Sequence, residues 1–191
     1  MKNPHWQYYL SLVEDIDRVS RYIDLAEDNY TTYSTEFTRL LLAAGSEIDV
    51  VAKLLCTKVD PSSKPSTIIE YGKVLSPKYS GLTSVEVSIP RAGLSFVPWH
   101  DWTNEGAPSW WSSYNKVKHE RDKNFKDANL GNVLNAVAGL CVFVCYLHYN
   151  LVAGGLPFGR PFIFLDSRYN AGKQFNVSRR LQLPDFKKEE G

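Results

Sequence analysis

The sequence predicts a mainly α-helical fold with one small β-hairpin inserted between helices. Two stretches repeat apolar residues at helical spacing, a third is apolar almost throughout, and a short fourth alternates apolar with polar residues. The 191 residues are 43% apolar and 13% aromatic, enough for one core and, at this length, about one domain. The expected organisation is a helical bundle over 1–156, with the hairpin near 82–99, and an extended C-terminal tail over 157–191.

The first element runs from His5 to Ile23. Trp6, Tyr9, Leu10, Val13, Ile16, Val19 and Ile23 recur at helical spacing with charged residues between them, which describes an amphipathic helix. Asp24 to Tyr33 is polar and serves as a connector. Ser34 suits the N-cap of the next helix. Its stripe is Phe37, Leu41, Ala44, Ile48, Val51 and Leu55, widened by Leu40 and Leu54. Glu47 sits beside that stripe and reads either as a wet boundary carboxylate or as a buried partner for a cation on another helix.

Asp60-Pro61-Ser62-Ser63-Lys64-Pro65 breaks the helix, and Thr67 to Val74 forms a short one. Val85, Val87 and Ile89 then alternate with polar residues; Pro90-Arg91-Ala92-Gly93 is the turn, and Leu94 and Phe96 return as the second strand. A loop over Asp101–Ser109 leads to a helix carrying Trp110 to Arg121. Asp127 or Asn129 starts the last helix, which reaches about Asn150 and is stopped by Gly154-Gly155. Beyond it, Phe162-Ile163-Phe164-Leu165 has strand character, and Arg179, Arg180, Lys187 and Lys188 make the end basic.

Charge and cysteine usage narrow the functional classes. The 22 basic and 21 acidic residues give a net charge of +1, so no global field draws the chain to nucleic acid and any such site is a local patch. Three cysteines, without an apolar leader, fit a reducing, cytoplasmic setting. The clean apolar run Ala136–Leu147 is about 12 residues, short of the roughly 20 that span a bilayer, so it reads as a buried core helix and no membrane association is expected.

The segment Ser109-Trp110-Trp111-Ser112-Ser113-Tyr114-Asn115-Lys116-Val117-Lys118-His119-Glu120-Arg121 is the one that looks like a chemical site. At about 100° per residue, Asn115 and His119 share a face one turn apart, with Trp111 one turn further back. Trp110, Tyr114, Val117 and Arg121 form a second face suited to core packing. An imidazole can move protons near neutral pH, and an amide one turn away can orient it or hold a substrate oxygen. Lys116, Lys118, Arg121, Lys123 and Lys126 surround the pair with positive charge that would suit a phosphodiester. His119, Asn115 and Arg121 are therefore the catalytic candidates; Lys116, Lys118, Lys123, Tyr114 and Trp111 are the candidate substrate contacts. The bland alternative is a solvated face on which Asn115 and His119 satisfy each other and the backbone.

The run Tyr114-Asn115-Lys116-Val117-Lys118-His119-Glu120-Arg121, followed by an apolar helix, resembles the HEPN superfamily. The typical motif there is Arg, a polar residue that is often Asn, three further residues, then His. Asn115 matches the polar position and His119 the histidine. The order of parts also matches over roughly 34–149: an earlier helix with Glu47 and Lys53, an insertion, the motif, and a long final helix. The resemblance implies a bundle of four or five helices, a homodimer in which two motif helices meet, and a metal-independent endoribonuclease of toxin–antitoxin or phage-defence type. In that chemistry, histidine and arginine promote attack of an RNA 2′-hydroxyl on the neighbouring phosphate. Tyr114 stands at the motif's arginine position. Arg121 could supply the guanidinium if the chain bends or a partner subunit contributes it. Some members bind a nucleotide or a partner protein without cutting. The branch with a tyrosine two residues after the histidine is not matched, because that residue is Arg121.

Other constellations point elsewhere. Cys141, Cys145 and His148 share one helix face, but with no fourth ligand and apolar neighbours they read as core residues, so no metal or cofactor is expected. Trp99, His100, Asp101 and Trp102 read as packing of the hairpin's end, with base stacking as the alternative. Gly154, Gly155 and Gly159 do not form a phosphate loop.

Overall fold

The computed structural model describes residues 4–103 and 105–148. The tail over 157–191, its run Phe162–Leu165, the glycines from Gly154 and the boundary at 156 lie outside the described residues. Within them the fold is mainly helical, with one two-stranded antiparallel hairpin.

Helix α1 spans Pro4–Val19 and buries Tyr9, Leu12, Val13 and Ile16. It stops short of the expected Ile23, although Val19 and Ile23 still pack against the core. Helix α2 spans Thr35–Val59 and begins where Ser34 predicts, with its hydroxyl accepting the Phe37 N–H at 3.0 Å. The expected stripe from Phe37 to Leu55 is buried, and Leu40 with it. Leu54 departs from expectation and is 40% exposed. Helix α1 runs antiparallel to α2 and starts beside Glu47, where His5 meets it, so the turn carrying Leu54 lies beyond the described reach of α1.

Helix α3 spans Ile68–Lys78 and opens on a reciprocal cap between Thr67 and Glu70. It outlasts the expected Val74, and Pro77, which has no N–H to donate back to the preceding turn, stands one residue before its end. Strands β1 (Val87–Ile89) and β2 (Leu94–Phe96) pair Val87 with Phe96, Ser88 with Ser95 and Ile89 with Leu94. The alternation turns all four apolar residues to the core and the serines outward. Gly93 closes the turn at φ 67°, a left-handed conformation that favours glycine. The hairpin is thus shorter than the span 82–99, and Val85 lies outside its ladder.

Helix α4 covers Ser109–His119, the single-turn α5 covers Arg121–Asn124, and α6 covers Leu130–Leu147. Asn129 caps α6 by accepting the Asn132 N–H at 3.0 Å. Helices α2 and α6 run parallel: Leu130 N–H donates to Thr32 O at 2.9 Å at one end, and Lys58 Nζ donates to Leu147 O at 2.6 Å at the other. By length and composition α6 could cross a membrane, yet 83% of it is buried in the fold, as suits a central core helix.

An aromatic cluster fills the space between the hairpin, α4 and α6. Trp99 stacks on Phe143 with ring centroids 4.3 Å apart and meets Trp110 edge-on at 5.1 Å. The indole N–H groups of Trp99, Trp102 and Trp110 donate to the carbonyls of Gly139, Ile68 and Pro98. Burial therefore leaves none of these three donors unmet. Trp99 and Trp102 pack as the plainer sequence reading anticipates.

Candidate functional site

Helix α4 is held at its start by the Ser109 N–H donating to Asp101 Oδ2 at 3.1 Å. Trp110, Trp111, Tyr114 and Val117 then face the core. Two of the candidate substrate contacts are buried by this placement, Tyr114 on the face that the sequence also offers for packing. Trp111 is 5% exposed and Tyr114 is 2% exposed, so neither ring is presented to a ligand. The reason lies on α2. Gly45 has no side chain, and the Tyr114 ring occupies the space so closely that a Cβ there would collide with Tyr114 Cδ2. Trp111 packs on Tyr114 with centroids 4.9 Å apart. A Trp and a Tyr that can bury this much apolar surface are worth more in the core than on a wet face.

The face shared by Trp111, Asn115 and His119 changes environment along the helix: buried, half-buried, then exposed. His119 is the last residue of α4. The chain leaves helical geometry at Glu120 (φ −137°, ψ 58°), and Arg121 starts α5. An uninterrupted helix would direct Arg121 well away from His119; the break removes that constraint. The side chains of Asn115, His119 and Arg121 make no hydrogen bond or ion pair with described residues.

Five cations lie between residues 116 and 126, against the carboxylates of Glu120, Asp122 and Asp127. Lys116 approaches Asp127 at 3.7 Å, Lys123 bonds Glu120 at 2.8 Å, and Lys118 lies over the Tyr114 ring at 5.6 Å. These exposed pairs are solvent-screened and worth little to stability, so the lysines can exchange them for a phosphate at small cost. The turn thus combines a titratable ring, an amide and mobile positive charge on an open surface.

The second cluster lies at the far end of α6. The Tyr9 hydroxyl bonds Cys141, which in turn bonds Cys145. Burial pushes the Tyr9 hydroxyl well up, and burial alone raises the Cys56 thiol to about 11. Burial beside Lys58 and His5 holds His148 below its ordinary value. Its Nε2 is buried without a hydrogen-bond partner among the described residues. No three His, Cys, Asp or Glu side chains gather as a metal site among the described residues.

Sequence reasoning left one feature open and passed over another. Glu47 does have a partner on another helix, but it is His5 on α1, with Nδ1 to Oε1 at 2.6 Å. Tyr33 and Phe125 meet edge-on at 5.8 Å near the basic turn. The available signal was an aromatic at the end of a polar connector and another set among lysines. Compared with known proteins, the chain matches no family model, no curated sequence and no solved structure.

Proposed function

We propose that the protein is an HEPN-like RNA-binding protein that cleaves RNA without a metal ion at the turn joining α4 to α5. The observation that carries this reading is His119: exposed, unpartnered among the described residues, and set at a helix break among five cations. An imidazole whose task was to satisfy Asn115 or the backbone would be buried and bonded. His119 takes the proton from a ribose 2′-hydroxyl as its oxygen attacks the adjacent phosphorus. Arg121 offsets the charge that builds on the phosphoryl oxygens, and Asn115 orients the imidazole or the phosphate. The phosphorus–5′-oxygen bond breaks, leaving a 2′,3′-cyclic phosphate, and the departing oxygen needs a proton. A second copy of the turn can supply that acid, which is the reason to expect a homodimer. The setting that goes with this proposal is a cytoplasmic toxin–antitoxin or phage-defence system.

One observation favours a second reading, a non-catalytic module that holds a nucleotide or a partner protein. The residue at the motif's arginine position, Tyr114, is committed to the core. The test is cleavage of a broad RNA panel by purified protein in EDTA, with His119→Ala and Arg121→Ala alongside. The expected result is cleavage that persists in EDTA and falls at least about 100-fold in His119→Ala, as for loss of a general base. Equal inertness of wild type and variants across the panel would leave the binding module as the better reading.

A further inference from the structure

RNA binding in single strands needs surfaces on which bases stack as well as cations. Trp99, Trp102, Trp110 and Trp111 are all buried and offer no such surface. Tyr33 does: it is 44% exposed although its ring is large and mostly apolar. The ring is held in place by Phe125, which meets it edge-on at 90°. The backbone beneath it is fixed as well. Tyr33 bridges to Asn129, and the N–H groups of Leu130 and Gly131 donate to Thr32 and Tyr30 at 2.9 and 3.0 Å. A ring immobilised in this way loses little freedom when a base lands on it.

Its setting is the same basic turn. Phe125 lies between Lys123 and Lys126, and the neighbouring Asp127 is tied to Lys116 on α4. Glu36, near Tyr33, is paired with Arg39. The carboxylates closest in sequence to the two rings are thus already compensated, which leaves the field favourable to a phosphate.

We propose that Tyr33, braced by Phe125, is a base-stacking platform for single-stranded RNA, flanked by Lys123 and Lys126. This rests on the RNA reading of the α4–α5 turn and extends it from the phosphate to the base. The backbone of the strand lies along the lysines while one unpaired base covers the Tyr33 ring.

The experiment is fluorescence anisotropy at low salt with a labelled single-stranded RNA of mixed sequence and its counterpart carrying abasic sites. Wild type is compared with Tyr33→Ala, Tyr33→Phe and Lys126→Glu, and thermal melts confirm that each folds. Tyr33→Ala should weaken binding about 5- to 100-fold, the usual range for losing one stack, and Tyr33→Phe should keep it. Abasic sites should weaken wild type but make no difference to Tyr33→Ala. If Lys126→Glu weakens binding while Tyr33→Ala and the abasic strand leave it unchanged, the platform is wrong and the cationic RNA face stands. If wild type binds neither strand, the RNA reading and the platform fall together. The abasic comparison on wild-type protein needs no substitution, so a misfolded variant cannot obscure the outcome.

Discussion

At the scale of single residues, Tyr114 decides most. The sequence offers it both as a substrate contact and as part of a core-packing face, and the absence of a side chain at Gly45 lets its ring settle into the core. Placing an arginine at this position, as the HEPN motif would have it, is therefore expected to harm the protein. Tyr114→Arg would place a guanidinium where 2% of the residue is exposed, and an unpaired buried charge costs about 3 kcal/mol or more. Thermal or urea unfolding should show the loss, and RNA cleavage should not rise above wild type. A variant as stable as wild type would mean that this part of α4 is open to solvent after all. His119 and Arg121 differ in kind: exposed, and without partners among the described residues, they are free to act on something outside the fold.

At the scale of elements, local rules worked where the chain has its own stops. Ser34, the Thr67–Glu70 pair and Asn129 each cap the helix they precede, because an N-cap satisfies donors that the helix itself cannot. The hairpin is similar. Gly93 adopts φ 67° and nothing lies within 4 Å of where its Cβ would stand. Gly93→Ala should then cost about 1 kcal/mol through backbone strain alone, read from the urea midpoint with an unchanged slope. A cost several times larger would point to a side-chain clash that the structure does not contain. Ends without a distinctive cap were less legible. Helix α1 stops at Val19 although apolar spacing continues to Ile23, since periodicity marks a buried face and not a hydrogen-bonding pattern. The break at Glu120 carries no glycine or proline signal, and it is this break that frees Arg121 from the α4 helix.

At the scale of the whole molecule, α6 is the rod around which α2, α1 and α4 pack. Its far end brings His148 beside Lys58 on α2 and His5 on α1, the latter paired with Glu47. Burial first, then these neighbours, hold His148 below its ordinary value of 6.5 in the folded state. The unfolded chain then binds more protons than the native one as pH falls past about 6.5, so stability is lost in that direction. Above that value both states carry a neutral ring and the contribution is flat. Melting temperatures from pH 8 to pH 5 should fall below about pH 6.5, and His148→Gln should remove part of the fall. An identical profile in the variant would show that other groups govern it.

The sequence by itself determined the helical class, the hairpin with its turn residues, the Ser34 cap, and the basic segment from Lys116 to Lys126. These rest on neighbours a few positions apart, where hydrogen bonding and apolar spacing are local matters. Only the tertiary structure decided that Trp111 joins the buried side of α4, that Arg121 does not, and that Leu54 stays exposed while Glu47 meets His5. Pairings such as Tyr114 over Gly45, or Tyr33 against Phe125, join residues far apart in the chain. Their energies come from surfaces brought together by packing, and the spacing within one segment carries no record of what another segment will place against it.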